Sequence, residues 1–152
     1  LWGALWYGIA ADAVARGQAF VKNAARKAPG QVPPGALRLA EASSLLQLVK
    51  ANVVAGLKQF EGCKGDSDAL NAMSFSVAMN NVKIGTSQTI LTIINHCMLI
   101  CGIAGYKNGT PFSLGRHLRD AHSAQLMISN DRILGNTSTM LLVNKQDTSL
   151  LG

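Results

Sequence analysis

Apolar residues recur along this chain at intervals of three and four, the spacing that lines one face of an α-helix. Trp2, Trp6, Ile9, Ala13, Gly17, Phe20 and Ala24 form the first stripe and predict a helix over 1–27, with Asp12, Arg16, Lys22 and Arg26 on its other faces. Pro29, Gly30, Pro33 and Pro34 end it, because proline disfavours helical backbone at the residue before it. A second stripe, Leu39, Ala42, Leu46, Val49, Val53, Leu57 and Phe60, predicts a helix over 35–61. The stretch 62–68 is expected to turn, with Gly65 free to take an unusual backbone angle and Asp66, Ser67 or Asp68 capping the next helix.

That third helix is expected over 69–101. From Ile90 onward it is apolar around most of its circumference, the mark of a helix enclosed on several sides, and it is expected to be the centre of a bundle. Gly85, in its middle, marks either a kink or a close helix contact. Gly102 and Gly105 bracket the end of this helix, residues 106–110 form a loop, and Pro111 suits the start of a new helix or the turn before it. Ser113 is placed to cap a fourth helix over 114–128, with Leu118, Ala121 and Ile128 inward and Arg116 four residues from Asp120, close enough to pair. Ser129 or Asn130 is placed to cap a fifth helix over 131–143, and 144–152 is expected as a frayed tail. No stretch alternates as a strand does. The expectation is an all-α, up-and-down helical bundle of four long helices plus a shorter C-terminal helix, one domain over 1–143.

Composition sharpens this picture. Hydrophobic residues are 48% of the chain and charged ones 14%, which is more apolar than helices facing water on one side require and implies burial against other protein. The opening, LWGALWYGIA, starts without an initiator Met and already in helical periodicity, so the chain is expected to be part of a larger protein. It has neither the positive start nor the cleavage site of a signal peptide. The apolar run 90–104 is interrupted by Thr92, Asn95 and His96 and is too short for a bilayer, so no membrane span is expected. The formal charge of +6 comes from scattered Lys and Arg with few aromatics, a pattern that argues against nucleic acid and suits an anionic small molecule. Cys63, Cys97 and Cys101 are an odd count, the last two a helical turn apart in an apolar run; they are expected as reduced core thiols of a cytoplasmic protein. His96, His117 and His122 are expected as polar surface or interface residues. No H-x-x-x-H, C-x-x-C or carboxylate cluster offers a metal site.

One series of residues goes beyond periodicity. Gly102, Gly105, Tyr106, Pro111, Arg116, Arg119, Asp120 and Ala121 spell G-x-x-G-Y, a few residues, Pro, then R-x-x-R-D-A. In this the segment resembles the C-terminal helical domain of the acyl-CoA dehydrogenase superfamily of flavoenzymes. Gly8-Ile9-Ala10, Leu39-Ala40-Glu41 and Asn130-Asp131-Arg132-Ile133, the last standing where relatives carry Glu-Gly-Thr, fall in the same order. The resemblance therefore covers nearly the whole chain, densely at its centre and loosely at its ends.

The resemblance implies an FAD-dependent oxidoreductase that oxidises an acyl-CoA thioester at its α,β carbons. This bundle would contribute part of the flavin site and the core of a homotetramer, with an electron-transfer partner possible. Among candidate cofactor-binding residues, Arg26 is nearest to the arginine that relatives set against the flavin pyrophosphate; its planar fork suits phosphate oxygens, and a solvated arginine at a helix end is the alternative. Gly102 and Gly105 allow close backbone approach to a cofactor or else cap the helix, while Leu99 and Gly102-Ile103 replace the relatives' Gln and paired glycines. Asn130 and Arg132 stand where relatives touch the ribityl or diphosphate region. Counted from Asp120, the position of the catalytic glutamate is Ile128, which cannot accept a proton. Either the base sits on the first helix upstream of Leu1, or no base is used, as in flavin-dependent monooxygenases that share the bundle. A non-catalytic helical oligomerisation or partner-binding domain is the alternative from another class.

Overall fold

The computed structural model describes residues 2–146, 148 and 149, and every regular element among them is a helix. In chain order these are α1 (Trp2–Lys27), α2 (Ala36–Cys63), α3 (Ser67–Asn71), α4 (Met73–Cys101), α5 (Ile103–Tyr106), α6 (Gly115–Leu126) and α7 (Asn130–Leu141). The all-α bundle expected from periodicity is present, but it stands on three long helices, of 26, 28 and 29 residues. The segment expected as a fourth long helix is the twelve-residue α6, equal in length to α7.

Close approaches fix the topology. A Cβ built on Gly3 of α1 would meet Val53 of α2 at 3.2 Å, while Gly35, just before α2, faces Val21 at 3.6 Å, so α1 and α2 run antiparallel. Gly56 faces Val82 at 3.0 Å and Gly35 faces Ile100 at 3.4 Å, so α2 and α4 do the same. Of the two roles open to Gly85, a kink or a contact, it takes the second: α4 runs through it, and its Cβ position lies 3.5 Å from Asn52 of α2. Bonds from Lys83 and Asn80 to Asn130 and Thr137 set α7 antiparallel to α4.

α4 is the centre, as its sequence requires: α1, α2, α6 and α7 all pack on it. It is long and apolar enough to cross a bilayer, with a mean hydropathy of 1.3 over an 18-residue window, of which 44% is buried inside the bundle. Ile90, Ile93, Ile94 and Cys97 are fully buried against Trp6, Ala10 and Ala13 of α1, Ala42 and Val49 of α2, and Ala121 and Ala124 of α6. Each such isoleucine removed from water contributes about 1.5–3 kcal/mol. Small residues on the flanking helices let the backbones come close enough for that burial. Polar bridges then fix the register: Asn52 Nδ2 donates to the Val82 carbonyl and to Thr86 Oγ1, both at 3.1 Å, and Asn80 Nδ2 donates to Thr137 Oγ1 at 3.0 Å.

Several local expectations change. The helix expected over 69–101 is broken at Ala72, whose extended backbone (ψ 137°) separates α3 from α4. Alanine does not break helices; the bend accompanies the packing of α3 on both α2 and α4. Asp66 is the cap among the three candidates, its side chain accepting from the N–H groups of Asp68 and Ala69 at 3.0 Å. Ser113 does not cap α6, nor does the Ser129 side chain cap α7. Ser113 instead offers its carbonyl to Arg16. Ile128, expected inward, is exposed. Of the expected tail, residues 147 and 150–152 lie outside the described residues, as does Leu1; the backbone N–H of Asn144 still donates to Met140 at 2.9 Å.

Candidate functional site

The turn between α6 and α7 holds an unusual backbone conformation. Ile128 has φ 50°, and it is the one residue other than glycine with positive φ among those described. A β-branched side chain in the left-handed region costs on the order of 1–2 kcal/mol, and such strain gathers at functional sites. What holds it is Lys83, whose ammonium donates to the Ile128 carbonyl at 3.0 Å and to the Asn130 side-chain oxygen. The Asn130 amide donates in turn to Ser87 Oγ at 3.1 Å. Lys83 is the single Lys, Arg, Asp or Glu in the 29 residues of α4.

Above this clamp lies a cavity of about 220 Å³ lined by Trp2, Trp6, Lys83, Met127 and Ile128. Trp2 and Trp6, one turn apart on α1, stack with ring centroids 6.4 Å apart, and the Lys83 ammonium sits 5.8 Å from the Trp6 ring centre. Burial among these apolar walls lowers the Lys83 pKa below the ordinary lysine value. Among the described residues no carboxylate forms an ion pair with it.

The sequence-derived cofactor candidates fall at two ends of the bundle. Arg26 is exposed near the end of α1, with one guanidinium nitrogen donating to Asn23 at 3.2 Å and the rest of its fork turned to solvent. Gly102 ends α4 with φ 55°, exposed, and nothing lies within 4 Å of the Cβ it lacks. Gly105 is not a cap. It is buried inside α5, where a Cβ would stand 2.8 Å from Cys101 Cβ and 3.4 Å from Met98 Sδ, so it serves packing. At the other end Asn130 is buried, with its amide committed to Lys83 and Ser87, while Arg132 is exposed. About 28 Å of helix separates Lys83 from Gly102 at the usual rise per residue, so one chain does not gather these residues into one site. Arg26, Gly102 and Arg132 are open to a ligand; Gly105 and Asn130 are used by the fold.

A second concavity, between α1 and α6, is floored by Ala4, Gly8 and Ile9 and rimmed by Asp12, Arg16, His117 and Asp120. His117 Nε2 donates to Asp12 Oδ2 at 2.6 Å, Arg16 Nε bonds the same oxygen at 2.8 Å, and Arg16 Nη1 donates to the Ser113 carbonyl at 2.9 Å. Burial alone would raise the Asp12 carboxyl, but the bonds from His117 and Arg16 together with the Arg16 charge outweigh it and hold Asp12 below the usual carboxylate value. Arg116 and Asp120 pair as expected, loosely, at 3.7 Å with Arg116 almost fully exposed. His96 Nδ1 approaches Glu41 at 3.6 Å, and among the described residues no cluster of metal-ligating side chains occurs.

Periodicity alone missed the Lys83 clamp and the Asp12–His117 bond. The signal for the first was a solitary charge in an otherwise apolar helix. For the second there was none, because the partners lie 105 positions apart. Compared with protein-family models, curated proteins and solved structures, the chain matches none.

Proposed function

We propose that this chain is the C-terminal helical bundle of an FAD-dependent, acyl-CoA dehydrogenase-like oxidoreductase, contributing to the flavin site and to the core of a cytoplasmic homo-oligomer. The observation that carries this reading is the setting of Ile128. By the resemblance Ile128 stands at the position of the catalytic glutamate, and it takes a strained, positive-φ turn at the rim of an apolar, tryptophan-lined cavity. A carboxylate that removes the α-proton of a thioester must reach the bound substrate, and this rim is open to one. Arg26 and Arg132 would meet diphosphate oxygens of FAD, and Gly102 would let the cofactor approach backbone; the flavin supplies the hydride acceptor. Their separation along the bundle suits a domain that serves two cofactor sites in an oligomer.

Isoleucine cannot be the base. Trp2 and Trp6 line the cavity from one face of α1, so a glutamate three or four residues ahead of Trp2 in a longer parent chain would share that face and replace it. The absence of a carboxylate at position 128 favours a second reading, a flavin-dependent monooxygenase that needs no base. The test is the absorption spectrum of the purified parent protein, followed by anaerobic addition of an acyl-CoA series. Bleaching of a bound flavin by a thioester supports dehydrogenation; flavin reduced only by an NADH-linked reductase selects the monooxygenase. A colourless protein that does not take up FAD rejects both and leaves a helical oligomerisation domain.

A further inference from the structure

We propose that the cavity formed by Trp2, Trp6, Lys83, Met127 and Ile128 is a binding site for a small amphiphile, a short aliphatic or aryl body carrying one carboxylate, with Lys83 as its counter-charge. The walls are apolar and aromatic, and at about 220 Å³ the space is smaller than the roughly 300–1,000 Å³ of pockets for drug-sized ligands. An occupant must therefore be small and mostly hydrocarbon. One charge faces it. Lys83 spends two donors on the Ile128 carbonyl and the Asn130 side chain, both neutral, and an ammonium has three. The nearest acidic side chain in sequence to that turn, Asp131, makes no ion pair with it among the described residues.

An incoming carboxylate would accept the remaining N–H and neutralise a half-buried cation, while its hydrocarbon covered Trp2, Met127 and Ile128, each exposed by 40% or more. Nothing would need to be built on binding. The bonds to Asn130 and Ile128 already fix the ammonium, and Ser87 fixes Asn130. The site needs this chain alone and does not rest on the flavin reading; either can fail without the other.

The chain's two tryptophans both line the cavity, so tryptophan emission, excited selectively over the two tyrosines, reports on this place. Hexanoate, hexanol and hexylamine are titrated into the 152-residue chain. Hexanoate is expected to give a saturable change in emission with an affinity about tenfold or more above that of hexanol, the scale of one charge-assisted hydrogen bond, and hexylamine none. In Lys83→Met the preference for carboxylate over alcohol is lost, and in Lys83→Arg it is retained, with far-UV circular dichroism confirming that both variants are folded. Equal affinity of the wild type for acid and alcohol, or no saturable response to the acid, overturns the proposal whether or not the variants fold.

Discussion

His117 Nε2 lies 2.6 Å from Asp12 Oδ2 and so ties α6 to α1, with Arg16 completing the contact from the next turn of α1. The bond matters because α6 is only twelve residues long and begins without a side-chain cap. Asp12, Arg16 and the Ser113 carbonyl together anchor the start of that helix.

Stability should depend on pH through this contact. The folded-state pKa of Asp12 is depressed, so its contribution is present above the ordinary value near 3.8 and is lost as pH falls below it toward the folded value. Asp12 is half exposed, which keeps the effect below about 1 kcal/mol. Urea midpoints measured between about pH 5 and about pH 3 should fall more steeply for the wild type than for Asp12→Asn, whose amide does not titrate. Parallel curves would show that the carboxylate contributes nothing.

Two glycine-to-alanine changes should have opposite signs. In Gly105→Ala the new methyl carbon would stand 2.8 Å from Cys101 Cβ, backed by Met98 and Leu114, and overpacking of this kind costs about 1–3 kcal/mol. In Gly8→Ala nothing lies within 4 Å, and the mid-helix position gains about 0.5–1 kcal/mol. Chemical denaturation of the two variants measures both. A stable Gly105→Ala variant would show that α5 moves freely against α4.

The thiols should differ in reactivity. Burial, with the neighbouring Cys101 adding to it, pushes the Cys97 thiol up to about 12, and burial also raises Cys101, whereas Cys63 near the end of α2 is only half-buried. A thiol-specific reagent at mildly alkaline pH should modify Cys63 in the native chain and reach Cys97 and Cys101 only when urea is added, because the thiolate is the nucleophile. Peptide mapping assigns the modified residues. Labelling of Cys97 at the rate of Cys63 would mean that α4 is not enclosed in solution.

Much of the helix pattern and its inward faces was legible in the chain itself, although Trp2, Leu57 and Phe60, members of the same two stripes, are exposed. Trp6, Ala13 and Gly17 on α1, and Ala42 and Val49 on α2, are buried as their spacing requires, and the prolines at 29, 33 and 34 separate the two. Stripe and stop signals are local: they depend on residues within a turn or two of each other, and that information lies in order along the sequence. The same holds for Asp66, which caps residues two and three positions on.

What only the tertiary structure decided are the pairings between helices. Gly105 looked like a second stop and is a packing residue, because Cys101, Met98 and Leu114 close in around it. Ser113 looked like a cap and serves through its carbonyl, because Arg16 reaches it across 97 positions. Lys83 meets Ile128 and Asn130 across 45 and 47 positions, and that meeting sets the strained turn and the charged wall of the cavity. Periodicity says which face of a helix turns inward. It does not say which residue of another helix waits there, because rotation and register are chosen by how all the side-chain volumes fit together at once.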